Sequence, residues 1–293
     1  MPNLNETLNG LTNGLIYAAG ALALVLIWRA TRLVNFAQGA MAMLTTYIAL
    51  TLLEHGAGYW AAFIAALVSG FVMGAVVERV IVRPVESKPP LNAVILTLGL
   101  LILMEAVAGM VWGGQLRSFP SNFSRNGLHI GQRVIAFSHF DIYVVVAVLV
   151  IMVALTALFR LTDVGLRMRA SAFQPEVARL LGVKVGRMLS LGWALASTVG
   201  ALAGVLVAPK VFVSPNMMDS VLIFSFTAAI LGGLDSPVGA LIGGLVLGLG
   251  TSFIGGWSVL GPSLEVVGAL VLLIVVLMVR PNGLFGGMSE RKV

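Results

Sequence analysis

Residues 141–159 read DIYVVVAVLVIMVALTALF, a run whose single charge is the acid at its edge, closed by Arg160. As a helix it rises about 28 Å at 1.5 Å per residue, close to the ~30 Å hydrocarbon core of a bilayer. Blocks of the same kind stand at 59–80 and 264–279. Their recurrence predicts an all-α fold, a polytopic transmembrane helical bundle with about eight or nine membrane segments. One transmembrane domain over residues 1–293 is expected, with no soluble domain interrupting it.

Composition agrees. Of 293 residues, 59% are hydrophobic and 10% charged, and the mean hydropathy is +1.02. A soluble domain carries roughly a quarter charged residues, so a soluble enzyme is excluded. The net charge of +6 would suggest nucleic acid in a soluble chain; here it is read by position across the membrane, and no nucleic-acid partner is expected. The absence of cysteine removes disulfides, thiolate nucleophiles and Cys-ligated metals together. The start, Met1-Pro2-Asn3-Leu4-Asn5-Glu6, lacks a basic stretch and cleavage site, so the first apolar segment is expected to be retained as a span.

Apolar length and helix breakers predict nine segments, near 11–28, 36–53, 58–80, 91–112, 141–160, 189–207, 219–233, 236–254 and 263–279. With the N-terminus outside and the C-terminus cytoplasmic, fourteen of the 18 basic residues fall inside, leaving Arg117, Arg125, Arg133 and Lys210 outside. That asymmetry follows the positive-inside rule. Trp28 and Trp193 then sit at inner ends, and Trp60, Trp112 and Trp257 at outer ones, as expected of interfacial indoles. The turn Gly232-Gly233-Leu234-Asp235-Ser236-Pro237 has no basic residue, so its two flanking segments either span or re-enter. The two long connections are an extracytoplasmic loop at 113–140 and a cytoplasmic loop at 161–188. Gly39-Ala40 with Arg83-Pro84, and Gly239-Ala240 with Arg280-Pro281, recur at similar separations; a parallel hairpin duplication and the chance recurrence of common pairs both fit.

Catalytic chemistry is sparse. His55, His129 and His139 fall in outer loops, and no His-Glu-x-x-His pattern exists. Lys88, Lys184, Lys210 and Lys292 follow Ser87, Val183, Pro209 and Arg291, so no phosphate-cradling Gly-Lys-Ser/Thr loop is present. No metal or cofactor is expected on this chain, and any ATP must be bound by another. Glu105 is the one acid well inside a segment, either a functional carboxylate or a scaffold bond to a neighbouring helix; Glu265 reads as an interfacial anchor. Asn35-Phe36-Ala37-Gln38-Gly39 brings two carboxamides to the start of the second segment, to line a hydrated path or to cap a helix. Gly239, Gly243, Gly244 and Gly248 have small-xxx-small spacing, which favours close helix packing, with a substrate contact at Gly239 the lesser reading.

In the inner loop, Pro175 suits a first helical position and Gly182 the left-handed residue after a helix end. Within the short helix between them, Val177, Leu180 and Leu181 share a face while Glu176 and Arg179 point elsewhere. Such a helix is unstable alone and either offers itself to a partner groove or lies on the lipid surface.

Taken in order, Asn35 to Gly39, Glu78-Arg79-Val80 with Arg83-Pro84-Val85, Leu180-Leu181-Gly182-Val183, Phe226 to Gly233, and Arg280-Pro281-Asn282-Gly283-Leu284-Phe285-Gly286 resemble the permease subunits of branched-chain amino acid ABC transporters. The resemblance covers nearly the whole chain. It implies an importer half in a bacterial inner membrane, multi-pass, paired with a second homologous permease, two cytoplasmic ATP-binding subunits and an extracytoplasmic solute-binding protein. ATP would be used by those partner subunits, and the chain itself is not an enzyme. The resemblance assigns ATPase coupling to Gly165, Arg167, Arg169, Glu176, Val177, Leu180, Leu181 and Gly182, and leaves Asn35, Gln38, Gly39, Glu105 and Gly239 as pathway candidates. Relatives often carry His at the place of Gln38 and Gly at that of Asp235, and some carry urea or short amides. A stand-alone secondary transporter or channel, and a membrane-embedded enzyme, are the alternatives from other classes.

Overall fold

Each of the nine expected segments is helical in the computed structural model, which describes residues 2–85, 88–130, 133–256, 264–280 and 283–285. The helices are α1 (Pro2–Thr31), α2 (Gln38–Glu54), α3 (Tyr59–Val76), α4 (Pro90–Trp112), α5 (His139–Leu161), α6 (Asp163–Phe173), α7 (Pro175–Leu180), α8 (Val185–Val207), α9 (Asp219–Gly232), α10 (Pro237–Gly256) and α11 (Glu265–Val279). Strands β1 (Gly127–Ile130) and β2 (Arg133–Ser138) form an antiparallel hairpin. The hairpin and α6 were not expected: α6 is polar on average and carries no apolar run, and the hairpin occupies a loop read only for its length. Trp257, Pro281, Asn282, Gly286, Arg291 and Lys292, used above for topology and resemblance, lie outside the described residues.

Among the described residues, α1, α3, α4, α5, α8 and α10 are long and apolar enough to cross a membrane. Helix α9 rises only about 21 Å at 1.5 Å per residue, less than the hydrocarbon thickness. Helices α3, α4, α5 and α11 expose rows of large apolar side chains, among them Ile64, Val68, Ile102, Met110, Val153 and Ile274. Rows on that scale suit a lipid or membrane-helix contact and not water. Helices α1 and α8 are instead largely buried. Several threonines inside the helices bond to the turn before: Thr46 donates to the Ala42 carbonyl at 2.8 Å, Thr97 to Ala93 at 3.0 Å and Thr198 to Ala194 at 2.9 Å, which satisfies those donors in an environment without water.

The chain divides into two compact units, residues 1–25, 123–145 and 220–293 in one and 26–122 and 146–219 in the other. In the first, α10 meets α1 through a seam of glycines. A Cβ on Gly14 would lie 2.8 Å from the Gly244 carbonyl oxygen, and one on Gly10 2.9 Å from that of Gly248. The other side of α10 meets α9, where a Cβ on Gly243 would press on the Ala228 carbonyl and one on Gly239 on that of Gly232. The small-xxx-small reading of this segment therefore holds on two faces. Ser236 caps α10, its hydroxyl accepting from the Gly239 amide at 2.9 Å, with Pro237 at the first turn where no amide is missed. Beyond α11 the chain returns to α9: the amides of Leu284 and Phe285 donate to the carbonyls of Leu231 and Gly232 at 2.7 and 3.1 Å. These carbonyls have no partner within α9. Gly283 makes the return possible, with φ of 78° and with Gly233 backbone 2.7 Å from where its Cβ would be.

In the second unit α8 is central, packed on α2, α3 and α6. Glycines again set the approach. A Cβ on Gly70 of α3 would lie 2.9 Å from the Ser197 carbonyl oxygen, and one on Gly204 of α8 2.8 Å from that of Ala42. Trp193 is fully buried on α8; its place follows from core packing, which replaces the interfacial explanation given for it above. At the other end of the unit, Arg117 and Val213 exchange both backbone bonds at 3.0 and 2.7 Å, and the Arg117 guanidinium reaches Glu54 at 3.1 Å.

Gly14 in the seam and Gly109 outside it are under opposite demands. Gly14→Leu places a side chain against fixed backbone and is expected to cost about 2 kcal/mol, while Gly109→Ala in α4, with nothing within 4 Å of its Cβ, is expected to be neutral or stabilising by up to about 1 kcal/mol. Unfolding of the purified chain in mixed micelles, followed by tryptophan fluorescence, measures both.

Candidate functional site

The segment from the end of α5 to the start of α8 holds the residues assigned to coupling. Thr162 starts α6, its hydroxyl accepting from the Gly165 amide at 3.1 Å. Gly165 is buried, and a Cβ there would lie 2.6 Å from the Phe159 Cα, so the turn folds back on α5 only because that atom is absent. Met168 and Ser171 continue the buried side of α6, whereas Arg167 and Arg169 are exposed.

Helix α7 begins at Pro175 and ends where Gly182 takes φ of 80°. The Gly182 and Val183 amides close the end onto the carbonyls of Arg179 and Ala178 at 3.0 and 2.9 Å, a left-handed helix stop. Both punctuation residues stand where the sequence reading put them. Ala178 is the residue that α7 buries, in a small cluster with Val185 and Leu189. Leu180 and Leu181 are 88% and 78% exposed, Val177 is 46% exposed, and Glu176 is exposed beside them. Two aliphatic side chains of this six-residue helix and a third on the residue that caps it are thus exposed.

The start of α8 is pinned by an ion pair that the sequence reading did not assign to any site. Helix α3 widens into a π-helical turn over Val77–Val82 and tightens into a 3-10 turn over Arg83–Val85, where Pro84 lacks the amide needed to continue. This irregular turn brings Arg83 back onto Glu78, which is 1% exposed. The guanidinium donates to both carboxylate oxygens, at 3.0 and 2.8 Å. It also donates to the Gly186 carbonyl at 2.6 Å and the Ser190 hydroxyl at 2.8 Å, and the Ser190 hydroxyl donates to Glu78. The signal available in sequence was the Glu78 and Arg83-Pro84 spacing; nothing marked Gly186 or Ser190, over a hundred positions away.

Three of the five pathway candidates lie together at the start of α2. Asn35 and Gln38 are buried and bonded together: the Asn35 amide donates to Gln38 Oε1 at 3.2 Å, Asn35 Oδ1 accepts from the Ala37 amide at 3.0 Å, and Gln38 Nε2 donates to the Ala196 carbonyl of α8 at 3.3 Å. Gln38 fills the space opened by Gly200. The pair brackets the start of α2 and ties it to α8. Gly39 is buried beside them. Glu105 is partly buried on α4, with its carboxyl close to that of Asp219 at the start of α9. Gly239 lies in the α9–α10 contact. Among the described residues no group of three or more His, Asp or Glu is arranged to hold a metal ion.

Removing one member of the Glu78–Arg83 pair strands the other's charge. Glu78→Met is expected to cost about 2 kcal/mol, below the usual range for a buried pair because Arg83 is one-third exposed, and adding Arg83→Met should recover part of that loss. A double-mutant cycle on micelle unfolding measures the coupling.

Comparison with known proteins places these features. Residues 6–279 match the family model described as branched-chain amino acid transport system, permease component. The high-affinity branched-chain amino acid transport system permease protein LivH of Escherichia coli (strain K12) is 30% identical over 99% of this chain and 97% of its own. BraD, of the same description, from Pseudomonas aeruginosa is 29% identical over 99% and 98%. A probable branched-chain amino acid transport permease protein LivH of Methanocaldococcus jannaschii is 28% identical over 91% and 87%. Among solved structures, PsaBC from Streptococcus pneumoniae in complex with Fab aligns over 95% of this chain and 91% of its own, with a TM-score of 0.52 at 13% identity, a likeness of fold. The chain belongs to the branched-chain amino acid ABC transporter permease family, and it is a multi-pass membrane permease.

Proposed function

We propose that this permease is one half of the translocation pathway of an ATP-driven importer in a bacterial inner membrane, completed by a second homologous permease. The N-terminus faces outward and residues 161–188 face the cytoplasm, where two ATP-binding subunits dock. An extracytoplasmic solute-binding protein delivers the solute to the opposite face, at residues 113–140 and around Lys210 to Asp219. The solute is a branched-chain amino acid or a related small amino acid or amide, by analogy with the functions named for LivH and BraD. ATP binding draws the ATP-binding subunits together, and α7 transmits that movement to the membrane helices.

The observation that carries the coupling part is the outward set of Val177, Leu180 and Leu181 in a segment rich in arginine and lysine. Large aliphatic side chains at such exposure gain about 1.5–3 kcal/mol each when buried against a partner, which is enough to seat a short helix in a groove. Arg167, Arg169 and Glu176 supply charge around it, and Gly165 and Gly182 hold its geometry.

Replacing Val177, Leu180 and Leu181 together by alanine is expected to leave the amount of inserted permease unchanged and to lower both ATP-binding-subunit copurification and solute uptake by more than about tenfold, the loss of at least 1.4 kcal/mol. Wild-type association and uptake in that variant would overturn the assignment. Thermal-shift screening of the cognate binding protein against aliphatic amino acids, amides and urea identifies the solute class.

A further inference from the structure

A cavity of about 330 Å³ opens where the last turn of α1, the end of α5, helix α6 and the first turn of α8 meet. Arg29, Arg32 and Arg169 contribute to its lining, and Phe159, Met168 and Leu189 are among its apolar residues. Because the ends of three membrane-crossing helices converge on it, the cavity lies at one boundary of the bilayer, where lipid headgroups reside. Arg32 has φ of 56°, a conformation that glycine adopts freely and arginine does not, and its guanidinium lies over the Trp28 ring at 5.8 Å. A strained residue kept at such a rim points to use.

We propose that this cavity is a binding site for an anionic phospholipid, with the phosphodiester held by Arg29, Arg32 and Arg169 and the upper acyl chain lying on Phe159, Met168 and Leu189. Guanidinium groups match phosphate oxygens in paired geometry, and basic pockets between membrane helices take anionic headgroups. A free phosphate would use the arginines and leave the apolar wall wet, so a lipid is the occupant that satisfies both. The site differs from the outward face of α7, sharing only Arg169 with the residues assigned to coupling, and rests only on the chain's being membrane-embedded.

The full chain, purified in detergent without other subunits, is titrated with phosphatidylglycerol, phosphatidylcholine or inorganic phosphate and weighed intact by native mass spectrometry. Phosphatidylglycerol is expected to bind about tenfold tighter than phosphatidylcholine, to resist displacement by millimolar phosphate, and to lose about tenfold in Arg29→Gln/Arg169→Gln but much less in Arg29→Lys/Arg169→Lys. In the unmodified chain, a photoactivatable acyl chain on phosphatidylglycerol should label the peptides containing Phe159 and Met168. Equal binding of the two lipids, displacement by inorganic phosphate, unchanged affinity in a folded Gln variant, or labelling confined to other peptides would overturn the proposal. Because no ATP-binding subunit is present, such a failure would leave the coupling reading untouched.

Discussion

Helices in a bilayer have no water to expel from between them, so what holds them is how closely their backbones can approach. In this permease that approach is made by missing side chains. Gly10, Gly14, Gly244 and Gly248 let α1 and α10 touch along carbonyls and Cα atoms, and Gly70 and Gly204 do the same for α8 against α3 and α2. The more exposed helices, α4 and α5, show a different economy. Gly99 and Gly109 of α4 meet nothing within 4 Å, and large aliphatic side chains cover the outward surface.

The second constraint follows from the same solvent. Backbone groups that water would satisfy must find partners in the chain. Leu284 and Phe285 supply them at the end of α9, Asn35 at the start of α2, and Ser236 at the start of α10. Two of the stretches that carry the family resemblance, at Asn35 and at Leu284-Phe285, thus close helix ends. The Asn35 and Gln38 carboxamides spend their hydrogen-bonding capacity on each other and on neighbouring backbone, which accounts for polar residues in so apolar a chain without requiring that they face the solute.

Helix existence was legible because runs of apolar residues separated by Gly and Pro carry it, and the glycine face of α10 was legible because its spacing matches the helix. Pro175 and Gly182 marked α7 to the residue, since each has a conformational reason to stand where it does. Helix α6 was not legible: only Met168, Ser171 and Gly165 are buried, too few to give a pattern among arginines and alanines. The Glu78–Arg83–Ser190 cluster was half legible. Its ion pair has a local signature, but its partners on α8 are set by tertiary packing between residues far apart in the chain. Trp193 shows the converse, a residue that the sequence reading set at a membrane boundary and that core packing on α8 accounts for.

The short connection between α7 and α8 has a mechanical consequence. Four residues, Leu181 to Lys184, separate the two helices, and the turn is stiffened by the left-handed Gly182 and its two backbone bonds. Ala178 is packed on the first turn of α8, and that turn is bonded through Gly186 and Ser190 to the irregular end of α3. There is little slack along this line. On the proposed coupling role, a displacement of α7 would reach α8 and α3 as from one end of a lever to the other, through the Glu78–Arg83 pair and with only four residues between α7 and α8 to absorb the stroke.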